Sequence, residues 1–320
     1  MIEIAASGRI KIYAPRQGRV SFFNSPYLAH FDHQAIDIYP PSCCALSPEA
    51  GKVKYIGEFN APRSKQFNGS SKEYLIAIET PASSEHLVRI LHVKPGVMVG
   101  DYVNVDEPLG EMIRNGHFDT WTDRHLHVEI RPHDDLLRAR GGLPIRVVLD
   151  GKSNDAESTS EKARCSKLAC DEGLKLSAFM GKVVALKPRS VLVEGPKACI
   201  GPFVGIPVFV GEGLGILDGG VPHYGFGGVL SLNAVNIGDP VFLGDVKIGR
   251  VVESFADGFS MFEAEPFTIR LEDFSMKGIS SYISLNGAYR WKFIPQAGEN
   301  MNLDGEVSVN IEPQGQARPL

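Results

Sequence analysis

No apolar run in this sequence of 320 residues approaches the roughly 20 residues that a helix needs to cross a bilayer. No membrane partner is therefore expected. Positive charge is not in excess either. The formal net charge is −5, which gives no electrostatic footing for a phosphate backbone, so no nucleic-acid partner is expected. The amino terminus, MIEIAASGRIKIYAP, has no basic flank followed by an apolar core. It does not read as a signal peptide, and a cytoplasmic location is the expectation. Cysteine is sparse and irregular: Cys43, Cys44, Cys165, Cys170 and Cys199. An odd number without a repeating spacing is not a disulfide framework, and a separation of five positions between Cys165 and Cys170 is poor geometry for a metal clip.

What is present is an ordinary globular composition, 43% hydrophobic, in a chain long enough for two cores. Residues 1–150 alternate short β-like runs with turns: GRIKIYAP, GKVKYIGEF, EYLIAIET, HLVRILHV and HLHVEIR. Runs of this length, rich in Val, Ile and Tyr and closed by Gly, Pro and Asn, predict antiparallel strands. Residues 151–178 turn polar, with Ser158 and Glu161 spaced as a capping box, and predict a linker carrying one short helix. Residues 179–320 return to glycine-punctuated β-like runs such as GKVVAL, FVGIPVFVG and DVKIGRVVESF. The fold class is thus mainly β: a barrel-like antiparallel sheet domain, a short helical linker and a second β-rich domain of unassigned role.

Two segments resemble each other across the halves. GDYVNVDEPLGEM at 100–112 and GDPVFLGDVKIGRV at 238–251 share a Gly-Asp-x-Val start. They fit either a duplicated barrel unit or two independent strand–turn–strand units. In the second half, GEGLGILDGG has neither the helix nor the Lys-Ser/Thr pair of a phosphate loop and reads as turn glycine. The aromatics of NGAYRWKFIP read as core, with a sugar or peptide platform as the alternative.

Eight of the nine histidines precede residue 134. In RHLHVEIR, His125, His127 and Glu129 alternate with Leu126, Val128 and Ile130. On a helix the two imidazoles would point about 200° apart. On a strand they share a face, about 6.5–7 Å from one another, so the segment predicts a half-buried strand with an imidazole-bearing face. Upstream, HFDHQAIDIYPPS places His33 four residues before Asp37. Fully extended, those Cα atoms would stand on the order of 13 Å apart, so gripping one ion requires a bend or a His33 lying in the loop before the strand. His92 closes the run RILHV ahead of Lys-Pro-Gly, a turn signal.

Taken in order, a His-x-x-x-Asp pair, a lone histidine and a His-x-His strand resemble the lysostaphin-type (LytM, β-lytic) zinc metallopeptidases over roughly residues 10–135. APRQGRVSFFNSPYLAHFDHQAIDI resembles that family's opening, ALSPEAGKVKYIGEF its next hairpin, and HLHVEIR its His-Leu-His signature. The resemblance implies one Zn2+ per chain on His33, Asp37 and His127, with His92 and His125 as the catalytic pair and a peptide as substrate. Three protein ligands leave a fourth position open, as catalytic zinc requires. Glu129 is expected to be structural, pairing Arg131.

Ala35 stands where that family has glycine, and GHFDTWTDR precedes the His-x-His strand. His117, Trp121 and Arg124 are therefore expected to line the substrate groove. Two other readings fit the same residues: a non-catalytic peptide- or partner-binding module that retains the fold, and a zinc hydrolase of another amide or ester.

Overall fold

The computed structural model describes residues 1–138, 140–149, 176–285, 287–298 and 301–314. Two compact units emerge: Met1–Phe22 with Pro26–Gly151, and Phe23–Ser25 with Lys152–Leu320. The helix expected in the linker lies outside the described residues.

In the first unit every β-like run becomes a strand. In chain order these are β1 Ile2–Ser7, β2 Ile10–Ala14, β3 Arg19–Ser21, the single-turn helix α1 Leu28–Phe31, β4 Ala35–Tyr39, β5 Cys44–Leu46 and β6 Gly51–Asn60. There follow β7 Lys72–Glu79, β8 His86–Leu91, β9 Val93–Pro95, β10 Tyr102–Val103, β11 Pro108–Met112, β12 Leu126–Pro132 and β13 Arg146–Val147. The main sheet is antiparallel throughout, in the order β3-β4-β12-β8-β7-β6-β10. Two small sheets, β13-β1-β2 and β5-β11-β9, complete the unit.

The central place of β12 changes one expectation. Leu126 to Arg131 are all buried, so the strand is not half-exposed. Its alternation separates two buried environments: Leu126, Val128 and Ile130 join the apolar core, while His127, Glu129 and Arg131 enter a polar interior. There Glu129 is gripped by Arg89 and lies 3.3 Å from Arg131 Nη1, which is how a charged face tolerates burial.

The second unit closes on itself twice. Phe203–Val210 pairs with Gly213–Val221, then Phe226–Ser231, Phe259–Ala264, Val246–Ser254 and Pro240–Leu243, which pairs back to Phe203–Val210. Ala178–Lys187, Ser190–Glu194, Trp291–Pro295, Phe274–Ser281, Phe267–Leu271 and Glu306–Pro313 form a second closed ring. Closure leaves no unpaired edge among these strands. The glycines of GEGLGILDGG serve the hairpin and the ring. Gly211 takes φ +55° in the tight turn, and a Cβ on Gly219 would stand 2.9 Å from Gly227 Cα. Tyr289, Trp291 and Phe293 are core residues, with the Trp291 and Phe293 rings 5.9 Å apart.

The two Gly-Asp-x-Val segments build the same turn. Asp101 Oδ2 accepts the Met98 N–H at 2.8 Å, and Asp239 Oδ2 accepts the Asn236 N–H at 2.9 Å. Gly100 and Gly238 have φ of +103° and +96° and donate to Val53 and Val251 respectively.

Candidate metal centre

Three elements converge on one point of the first unit. Asp37 on β4 and His127 on β12 are directly paired across the ladder, which brings their side chains to one face. The third contributor is α1. Its backbone bonds run Asp32 N–H to Leu28 O and His33 N–H to His30 O, and Gln34 N–H then closes back on Ala29 O. His30 is thereby presented from the helix. His33 follows in the loop with φ +53°, so the bend that the sequence demanded falls on His33 and not on Ala35, which is already strand.

Among the described residues, three ligand-type atoms within 4.8 Å of one another belong to His30, Asp37 and His127. His127 Nδ1 is 2.9 Å from Asp37 Oδ1, His30 Nε2 is 3.2 Å from the same oxygen, and the two ring nitrogens are 3.2 Å apart. His33 is buried with its ring 5.5 Å from that of Phe22, and it is not among the three. The structure therefore unites two of the three predicted ligands with a histidine that sequence spacing passed over. The signal for His30 was present in YLAHFDH, where it precedes His33 by three residues.

Each imidazole has its opposite nitrogen occupied. His30 Nδ1 is 2.8 Å from the Phe22 carbonyl oxygen, and His127 Nε2 is 2.9 Å from Glu129 Oε1. A neutral imidazole has one N–H. Once those N–H groups donate to Phe22 and Glu129, two lone pairs and a carboxylate oxygen face one another, an arrangement that calls for a cation between them. Ligands at about 2.0–2.2 Å from a tetrahedral zinc lie ~3.3–3.5 Å apart, close to the observed triangle. The donor set and its supporting hydrogen bonds fit zinc. Without metal, a proton does the same work. Burial disfavours the His127 imidazolium, but hydrogen bonds to Asp37 and Glu129 outweigh it and push the group up to about 9. Asp37, despite burial, is held well below the usual carboxylate range by the imidazoles around it.

His92 and His125 stand beside this triangle. Their rings are 5.1 Å apart, and His92 is 6.0 Å from the His127 ring. His125 Nδ1 is 3.0 Å from the Asp123 carbonyl oxygen and Nε2 is 3.5 Å from Asp37 Oδ2. Burial pulls its pKa down to about 4, so it is neutral at pH 7. His92 Nδ1 is 2.7 Å from Glu73 Oε2. Neither Glu73 nor Phe118 was singled out by sequence. Phe118 lays its ring 4.7 Å from His92 and 4.9 Å from His125. Its loop is pinned by Arg114 to the Asp119 and Thr120 carbonyls and by the Tyr27 hydroxyl to the His117 carbonyl. Of the predicted groove residues, His117 and Arg124 are exposed and Trp121 is half-buried; Arg124 reaches Glu111 at 3.7 Å.

Fold and site together define a two-domain, β-rich protein with a buried histidine–aspartate cluster in its first domain. Residues 11–147 match the family model for the N-terminal domain of a domain of unknown function (DUF8155), and residues 178–312 match the model for its C-terminal domain. Between them the two matches cover more than half of the chain, which belongs to that family. No curated protein and no solved structure matches it. Among the described residues, no helix is long and apolar enough to cross a membrane.

Proposed function

We propose that the first domain is a zinc-dependent hydrolase of the lysostaphin type, acting on peptide bonds. The carrying observation is the triangle of His30 Nε2, Asp37 Oδ1 and His127 Nδ1, whose two imidazoles are each fixed from behind. His30, Asp37 and His127 would hold the ion. Zinc in such a site supplies Lewis acidity, acidifying water to a pKa of about 7 and polarising a carbonyl.

The chain's own residues do the rest. His125 is neutral at pH 7, with Nδ1 tied to the Asp123 carbonyl, so Nε2 is the atom that can take a proton. His92, a ring's width away, supplies the second imidazole, to steady developing negative charge or return a proton to the leaving amine. Phe118 and the surrounding strands exclude bulk water from the pair, which strengthens every charge interaction inside.

A second reading draws on Phe118. A ring lying against both His92 and His125 suits a peptide-binding module that keeps the fold without turnover. Elemental analysis of the purified full chain comes first, with His127→Ala beside it; one zinc per chain, lost in the variant, is the expected result. Hydrolysis of a pentaglycine peptide by wild type and not by His125→Ala then supports the hydrolase. Zinc binding with no turnover supports the module, and absence of zinc from a wild type incubated with it removes the hydrolase reading and leaves the module.

A further inference from the structure

Glu73 is the second residue of β7 and is 8% exposed. Its carboxylate receives four N–H groups. Oε1 accepts the backbone N–H of His92 at 2.9 Å and of Tyr74 at 2.8 Å. Oε2 accepts His92 Nδ1 at 2.7 Å and Asn115 Nδ2 at 2.8 Å. Two of the four come from one residue, so His92 is chelated through its main chain and its ring together. That grip accompanies an unusual backbone. His92 leaves the β7–β8 ladder just after Leu91 and adopts φ +69°, a conformation that costs a non-glycine residue free energy unless its surroundings hold it.

We infer that Glu73 is the positioning residue of His92, fixing the ring in the Nδ1–H form and leaving Nε2 as its proton-exchanging atom. As a part in hydrolysis, this role rests on the function proposed above. The chemistry is that of a carboxylate behind an imidazole. An ionised carboxylate only accepts hydrogen bonds, so the ring nitrogen facing it carries the proton and the opposite nitrogen carries the lone pair. Burial alone would raise the Glu73 pKa, but hydrogen bonds from His92 and Asn115 and the charge of His92 pull it down to about 2, which keeps it an acceptor at any working pH. His125 is backed only by a peptide carbonyl. The two imidazoles are therefore inequivalent, and the one with the carboxylate is the better placed to bear positive charge.

Asn115 makes the arrangement specific. It is fully buried, and it also donates to the Lys72 carbonyl at 3.3 Å while its Oδ1 accepts the His117 N–H at 3.0 Å. One side chain thus ties Glu73 to the start of the loop that carries Phe118 onto His92. A carboxylate placed only to satisfy backbone at a strand end needs no such orientation from behind.

The test is 15N NMR of the full chain labelled at histidine, metal-free, with the His92 signals assigned by their loss in His92→Gln. In the wild type, Nδ1 should be the protonated nitrogen of neutral His92; finding the proton on Nε2 overturns the inference without any variant. Glu73→Gln should shift the ring toward a mixture of tautomers, and Glu73→Asp should restore the Nδ1–H form in part. An unchanged tautomer in Glu73→Gln also overturns it. With zinc and the pentaglycine peptide, Glu73→Gln should lose roughly 10- to 100-fold in kcat with KM and zinc content unchanged, and an unaltered kcat counts against the role in hydrolysis. A wild type that holds no zinc refutes the hydrolase reading alone, since the tautomer measurement is made without metal.

Discussion

His127 and Asp37 are opposite residues on neighbouring antiparallel strands, and the imidazole Nδ1 stands 2.9 Å from the carboxylate Oδ1. Register alone brings them together, so a one-residue slip of either strand would separate them and turn the slipped residue to the opposite face. His30 joins them from outside the sheet, on a helix of four residues. The cluster therefore draws two candidate ligands from paired strands and one from a short helix.

That geometry gives the first prediction. His30→Ala and His127→Ala should each abolish retention of zinc by the full chain, whereas His33→Ala should keep it, because His30 and not His33 lies in the triangle. Elemental analysis after dialysis reads this directly. Loss in His33→Ala with retention in His30→Ala would reassign the ligand to the His-x-x-x-Asp spacing.

Period-2 alternation in HLHVEIR marks a strand because side-chain direction is a local property, the short β-branched run in EYLIAIET marks another, and both segments are strands. The cluster of imidazoles was legible for the same reason. His30 was not, because its contribution depends on one helical turn followed by a left-handed His33, and neither has a pattern of its own. Glu73 looked like any polar residue at a strand start; what singles it out is a histidine 19 residues later. Closure of the two rings in the second unit is non-local pairing, which no window of sequence contains.

Glu129 carries the second prediction. It is 1% exposed and bridges Arg89, Arg131 and His127. Glu129→Ala would leave the buried Arg89 guanidinium without its carboxylate, Arg131 with Asp135 alone, and His127 Nε2 without its acceptor. Urea unfolding should show a loss of about 3–5 kcal/mol, and zinc affinity should fall roughly 10- to 100-fold. Loss of stability with unchanged zinc affinity would mean that the His127 orientation does not depend on Glu129.

The paired turns offer a third. Asp101 and Asp239 each accept one backbone N–H three residues back, at nearly the same distance. Replacing either with alanine should cost about 0.5–1.5 kcal/mol, and the two costs should agree. Gly100 and Gly238 both have open space where a Cβ would be placed, so alanine there should cost only backbone strain, about 1–3 kcal/mol. A large disparity between the members of either pair in urea melts would show that the shared geometry hides different energetics.

The fourth prediction concerns the second unit and pH. His223 sits where Cβ atoms on Gly220 and Gly278 would meet its ring, at 2.7 and 2.4 Å. Burial, helped by the charge of Lys277, lowers its pKa to about 3. The unfolded histidine titrates near 6.5. Between those values the unfolded chain binds a proton that the folded chain refuses, so stability is full above pH ~6.5 and declines as pH falls toward 3. Each pH unit in that window costs about 1.4 kcal/mol, or roughly 2 kcal/mol between pH 6.5 and 5. Other groups titrate there too, so the measurement is the difference between wild type and His223→Gln in urea melts at both pH values. The variant should lose that much of the pH dependence. Parallel stability curves for the two proteins would show that the ring takes up its proton in the folded state, and that the two glycines do not enclose it tightly enough to keep it neutral.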